Sequence, residues 1–469
     1  MKLTALLLAA STVAAGCAAT TNPQSLPWLP CAENAAAECT TLTVPVDWTK
    51  RKESTVDIAV VRRKAADPAR RVGVLVYAPA GPGSSGVDAI AQDQQFSMMF
   101  TAEIAARFDV VSLDPRGVRR SHPVVCDGKL FADQRTPWDQ AGFDARRAAN
   151  AVLGNDCRAR TGPLFDHIAS TDMARDVDAL REALGEATIN LYGLSYGTVL
   201  GQMYAELFPK RIRTMVLDAN VDHSTNTEQD LVVSARGAQD SFNEFVAWCA
   251  RETECALHGR DVRAMLAELR DKAAKGTLVE PGTTTKVEPD RLIHSIITPL
   301  SIPRRNVTAQ RIASLAGIGK PGPAPADSPP PAISPLAIAI SCADNEYGIR
   351  SFQQLTAARG RAAAVAPDVG RGAYGPTTLC LDWPGKTTNP NHRTHAPDAP
   401  PILVTNSRHD PSTPHESAVS VASQLRSAVL VTYEGAGHGA YRRSECMQSL
   451  VDRYFVDRAV PARGTTCPA

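Results

Sequence analysis

Dense apolar, β-branched runs recur along the chain at residues 72–77, 110–113, 189–192 and 214–217, and again at 402–405 and 428–433. Such runs suit strands buried on both faces of a parallel sheet, whereas residues 55–62 alternate as a strand with one wet face does. Helical periodicity fills the intervals. The clearest stretch is 171–184, with Thr171 as N-cap, Met173, Val177, Leu180 and Leu184 as its apolar stripe, and Gly185 as its stop. This alternation predicts an α/β class chain, a mostly parallel sheet covered by helices. After Asp222 the pattern changes: 231–251 and 262–275 read as helices and strand-like runs become scarce. Residues 320–335 carry seven prolines in 16 positions, a stiff, extended connector. The simplest partition is a core over 41–222, a helical cap with its Pro-rich connector over 223–340, and the return of the core over 341–469.

Composition bounds this picture. With 469 residues, 43% apolar and 21% charged, the chain can bury a sizeable core, and wholesale disorder is excluded. Fifty Lys and Arg against forty-nine Asp and Glu leave a net charge of +1, so nucleic acid is not an expected partner. Met1-Lys2 and the apolar residues 3–10 read as a secretory signal over 1–16, too short to remain as a membrane span. Ala14-Ala15-Gly16-Cys17 resembles a bacterial lipobox, with Ala14 where Leu, Val or Ile is usual. Cys17 is then the expected lipidation site and 17–40 a tether to the membrane; cleavage and free secretion is the alternative. Lipid on Cys17 leaves ten of the eleven cysteines, an even number suited to disulfides in an oxidising compartment. Sequence neighbours pair as Cys31/Cys39, Cys126/Cys157, Cys249/Cys255, Cys342/Cys380 and Cys446/Cys467, although spacing alone does not fix connectivity. No C-x-x-C, H-E-x-x-H or EF-hand pattern occurs, so neither a metal nor a cofactor is expected.

Candidate chemistry centres on Gly193-Leu194-Ser195-Tyr196-Gly197, a G-x-S-x-G entered by the 189–192 run and left by a helical pattern over 198–208. A serine on so tight a strand-to-helix turn stands above the sheet as a nucleophile. It needs a base, and the base an orienting carboxylate. His438, in the loop beyond the last strong strand run, and Asp410, beyond the preceding one, follow Ser195 in the order of α/β-hydrolases. His223 and His409 are weaker rivals for the base, and Asp218 and Asp222 are fallback acids. Oxyanion donors are expected at the Tyr196 N–H and at Gly81 in the loop after 72–77. The same loop contains Gly81-x-Gly83-x-x-Gly86, but Pro82 removes an N–H that a phosphate would need, which speaks against a dinucleotide site.

Pro79-Ala80-Gly81-Pro82-Gly83, Asp114-Pro115-Arg116-Gly117-Val118, the Ser195 motif and Asp410-Pro411-Ser412-Thr413-Pro414 together resemble the secreted actinobacterial tripeptidyl aminopeptidases, within the prolyl-iminopeptidase-like α/β-hydrolases. The resemblance runs from about Thr41 to the C-terminus. It departs at Ala80 and Arg119, where glycine is usual. It implies the triad Ser195, Asp410 and His438, oxyanion amides of Gly81 and Tyr196, and a cap that limits access. The implied enzyme is a serine exopeptidase releasing short peptides, tripeptides in this family, from free N-termini of peptide or protein substrates. An ammonium-binding carboxylate is then required, for which Asp344 and Glu346 are candidates. An esterase or lipase with the same triad is the alternative, since one fold hosts many acyl substrates, and a non-catalytic binding module is a third.

Overall fold

The computed structural model describes residues 26–131, 137–302, 304–318, 334–370 and 378–469. The signal sequence, Cys17 and nearly all of the Pro-rich connector lie outside these residues.

Ten strands form one sheet: β1 (Leu29–Pro30), β2 (Glu38–Pro45), β3 (Thr55–Arg63), β4 (Gly73–Ala78), β5 (Phe108–Leu113), β6 (Ile189–Leu194), β7 (Ile212–Asp218), β8 (Ile402–His409), β9 (Val429–Ala436) and β10 (Thr466–Cys467). Their order is β1-β2-β3-β5-β4-β6-β7-β8-β9-β10, parallel from β5 through β10 and antiparallel at the β1-β2-β3 edge. The central strands are apolar on both faces because each face has its own core. Val74, Val76 and Ala78 of β4 point into one, with Leu191, Met215 and Val404; Leu75 and Tyr77 point into the other, with Tyr192, Val216 and Leu403. Helices Ser170–Ala183, Gly197–Leu207 and His415–Gln424 close the first face, and Ala102–Arg107 and Glu445–Asp457 the second. Each fully buried aliphatic side chain contributes about 1.5–3 kcal/mol by leaving water.

A separate apolar cluster forms the cap, built by helices Thr227–Arg251, Val262–Ala274, Pro289–Ser301 and Arg305–Leu315. It also takes in Phe143 from the Gln140–Thr161 helix and Leu355, Ala358 and Ala362 from the Phe352–Val365 helix, so apolar positions beyond residue 340 join the cap core.

Two features of the fold differ from the sequence reading. Strand β1 and the start of β2 at Glu38 lie inside the stretch read as tether, because the Cys31–Cys39 disulfide and the pairing of β2 with β1 and β3 fix them. Thr171 is not an N-cap: the helix starts at Ser170, whose N–H (2.8 Å) and hydroxyl (2.6 Å) donate to Asp344 from a distant segment. A tertiary carboxylate thus replaces the local cap. All five disulfides join the sequence-neighbour pairs. Among the described residues no helix is long and apolar enough to cross a membrane.

Candidate active site

In a parallel sheet ligands collect at the carboxyl ends of the strands, where the order reverses. Here β4 lies between β5 and β6; the loops leaving β4, β6, β8 and β9 carry Gly81, Ser195, Asp410 and His438, and Asp218 ends β7. Ser195 has φ of 56°, the left-handed region that a non-glycine residue avoids, and it is half-buried. Gly197 makes the turn possible: a Cβ there would lie 2.2 Å from the Ala78 carbonyl oxygen of β4. The Ser195 hydroxyl accepts and donates no hydrogen bond among the described residues.

His438 Nδ1 faces Asp410, at 2.9 Å from Oδ2 and 3.2 Å from Oδ1. Asp410 is buried, and its carboxylate also accepts from Ser412 N (2.8 Å), Thr413 N (3.0 Å) and the Thr413 hydroxyl (3.0 Å). With Nδ1–H donating to Asp410, Nε2 is left as the basic nitrogen. Burial works to lower the His438 pKa, but the Asp410 charge and its hydrogen bond outweigh it, with Asp218 adding to them, and the net direction is upward from the usual 6.5.

Asp218 ties the two loops together. Its main-chain carbonyl accepts the Ser195 N–H (2.9 Å), while its carboxylate accepts from Ala440 N (2.9 Å) and Tyr441 N (3.1 Å), just beyond His438. Thr405 Oγ1 (2.8 Å) and the Tyr192 hydroxyl (3.0 Å) complete its shell. Burial pushes its carboxyl upward against those four donors. The sequence flagged Asp218 as a substitute acid; the structure gives it to backbone amides instead. Asp222 is occupied by Ser224 and Gln424.

The rival histidines are placed elsewhere. His409 Nδ1 pairs with Asp240 of the Thr227–Arg251 helix at 2.8 Å, and buried His223 lies against His392, ring centroids 5.2 Å apart. The cap touches the site directly through Ser301, whose carbonyl accepts the His438 N–H (2.7 Å) and whose hydroxyl meets Ser412 (2.8 Å). Nothing in the sequence near residue 301 signals this contact. Thr413, whose hydroxyl also lies 3.2 Å from His438 Nδ1, is likewise visible only in three dimensions.

Neither the Gly81 nor the Tyr196 N–H donates to another described residue, so both remain available to an oxyanion. The Gly81 loop is held by Asp114, which accepts from the Ser85 hydroxyl, Val87 N (3.1 Å) and Arg120 (3.1 Å). Arg119, in its unusual position, pairs with Asp88 at 2.9 Å. Arg116 is wholly buried, donates to Asp176 through two nitrogens (2.7 and 2.6 Å), and also reaches the Pro45, Val46 and His167 carbonyls.

Asp344 is not open to a substrate, contrary to the sequence reading. It is fully buried and accepts from Ser170 N and Oγ, the Tyr196 hydroxyl (2.7 Å) and Asn389 (2.9 Å). It thereby braces the residue beside Ser195. Glu346 is exposed and pairs with Arg350 at 3.5 Å. Among the described residues no group of three or more His, Cys, Asp or Glu side chains is arranged to hold a metal.

Fold and kinship define an enzyme, a serine hydrolase on an α/β-hydrolase scaffold. Residues 366–467 match the family model described as TAP-like protein. The chain is 28% identical to serine protease Hip1 of Mycobacterium tuberculosis, over 95% of this chain and 91% of that protein. It is 29% identical to the tripeptidyl aminopeptidase of Streptomyces coelicolor (92% and 83% covered) and 31% identical to carboxylesterase B of M. tuberculosis (92% and 86%). The chain belongs to this tripeptidyl aminopeptidase-like family of α/β-hydrolases.

Proposed function

We propose that the protein is a serine exopeptidase that releases short peptides, tripeptides foremost, from free N-termini. The observation that carries the reading is the His438–Asp410 pair at the sheet's carboxyl edge, tied through Asp218 to the strained Ser195 turn. Ser195 Oγ attacks the peptide carbonyl while His438 Nε2 takes its proton. Asp410 holds the imidazole in the tautomer required and stabilises the imidazolium. The amides of Gly81 and Tyr196 receive the oxyanion, and one such donor is worth about 10²–10³ in turnover. His438 then protonates the leaving amine, and water, activated by the same nitrogen, hydrolyses the acyl-enzyme.

A second reading is an ester hydrolase, which the carboxylesterase relative favours. Turnover of a free-amine tripeptide p-nitroanilide beside a short-chain p-nitrophenyl ester discriminates: the peptidase reading expects efficient anilide cleavage, and ester turnover alone would replace it. The five disulfides fit export to an oxidising compartment. Lipid attachment at Cys17 belongs to the same proposal, and the intact mass of the mature N-terminus tests it.

A further inference from the structure

The strand that leads to the base stops short of it. β9 ends at Ala436, and Gly437 N donates to the His409 carbonyl of β8 at 3.2 Å. Asp218 takes hold of the chain again only at Ala440 and Tyr441. His438 and Gly439 lie between these points, and the glycines on either side of His438 have φ of 109° and 82°, a region where the backbone is loosely constrained by its own sterics. To this stretch the sheet adds the Ser407 hydroxyl, 3.2 Å from the Gly439 carbonyl oxygen. The backbone that carries the imidazole must be fixed by something else.

Arg443 supplies it. Its N–H donates to the Ala440 carbonyl at 3.1 Å, and the side chain folds back over the loop. Nε donates to the Gly439 carbonyl (3.0 Å) and Nη2 to the His438 carbonyl (2.7 Å). Nη2 also donates to the Ser301 carbonyl at 3.3 Å, the same acceptor that takes the His438 N–H at 2.7 Å. Both main-chain groups of His438 are therefore held from outside the sheet: the N–H by the last residue of the Pro289–Ser301 cap helix, the carbonyl by an arginine bonded to that same residue. A guanidinium presents its donors in a flat, rigid fork, so three carbonyls held at once fix the loop more closely than a single flexible ammonium does. Arg443 forms no ion pair with a described carboxylate, whereas Arg116 and Arg120 hold their segments through Asp176 and Asp114. Its charge stays beside the imidazole. Burial and Arg443 lower the His438 pKa, while Asp410 and Asp218 raise it.

We propose that Arg443 is a positioning residue for the reaction: it locks the His438 backbone to the end of the cap helix and so sets where Nε2 stands relative to Ser195. The assignment rests on the reading of His438 as the base.

The test uses the full-length protein, its Arg443→Gln, Arg443→Lys and His438→Ala variants, and whichever of a free-amine tripeptide p-nitroanilide and p-nitrophenyl butyrate the wild type turns over faster. A misplacement of about 1 Å costs on the order of 10² in rate, so kcat of Arg443→Gln should fall by about 10- to 100-fold with KM little changed. Losing the positive charge removes one cause that lowers the imidazole pKa, so the acid limb of kcat/KM should move to higher pH. Arg443→Lys keeps the charge and loses the fork: its kcat should recover in part, and its acid limb should stay at the wild-type position. Wild-type kcat in both variants would overturn the assignment. A loss in Arg443→Gln with an unmoved acid limb would also overturn it, since Arg443 would then merely support the fold. Should Arg443→Gln not fold, Arg443→Lys decides alone: a lower kcat at constant KM supports the assignment, and an unchanged kcat removes it. An inactive His438→Ala beside fully active Arg443 variants fells the assignment only. A wild type that turns over neither substrate, or a His438→Ala that keeps the wild-type rate, sinks the reading of the base and the assignment together.

Discussion

Replacing Asp218 by asparagine probes the connection between the nucleophile turn and the histidine loop. The carboxylate offers one oxygen to each of two donor pairs: Oδ1 to Thr405 Oγ1 and Ala440 N, and Oδ2 to Tyr192 Oη and Tyr441 N. An asparagine keeps one oxygen and turns an NH2 toward the other pair. A hydroxyl can rotate to accept from that NH2, but a backbone N–H cannot. One buried amide, of Ala440 or Tyr441, is left facing a donor. Losing its charge-assisted bond and stranding the donor costs about 2–4 kcal/mol, and Asp218, at 1% exposure, has no water to soften the loss. The stranded amide lies two or three residues beyond His438, and a misplacement of about 1 Å at a reacting group costs on the order of 10² in rate. Removing the Asp218 charge also lowers the imidazole pKa, because that charge helps to raise it. Urea unfolding and the pH profile of kcat/KM read all three effects. The expected result is a destabilisation of this size, a rate loss near 10², and an acid limb displaced to lower pH. A variant within about 0.5 kcal/mol and threefold of wild type, with an unmoved acid limb, would refute the reasoning.

Asp410→Asn should lower kcat by on the order of 10⁴, as loss of the orienting carboxylate does in serine proteases. On the proposed mechanism, in which His438 is the neutral base, its raised pKa means that wild-type activity should fall on acidification with a midpoint above 6.5; in Asp410→Asn burial dominates and the residual activity should persist to lower pH. A kinetic pH titration of both proteins checks this. The Cys342–Cys380 disulfide closes a 38-residue span and anchors the Pro335–Asp344 helix, from which Asp344 holds Tyr196 and Ser170. Replacing both cysteines by alanine should cost about 2–4 kcal/mol in denaturant unfolding.

How much of this was legible depended on whether the signal was local. The central strands were readable because burial on both faces makes them continuously apolar, and Ser195 because its turn needs small neighbours at fixed offsets. His438 and Asp410 followed from chain order relative to the last two long strands. The interactions that escaped are long-range and polar: Asp344 capping the Ser170 helix across 174 positions, Ser301 reaching the His438 amide, and Asp218 binding the loop beyond β9. No periodicity encodes which buried carboxylate will be filled by distant donors. The same reason misled the choice of Asp344 as an open anchor.

The most direct test is to label the folded protein with a fluorophosphonate and map the adduct by mass spectrometry. The account predicts a single adduct on Ser195, abolished together with hydrolysis in Ser195→Ala. Label on a different serine, or undiminished labelling of Ser195→Ala, would contradict it.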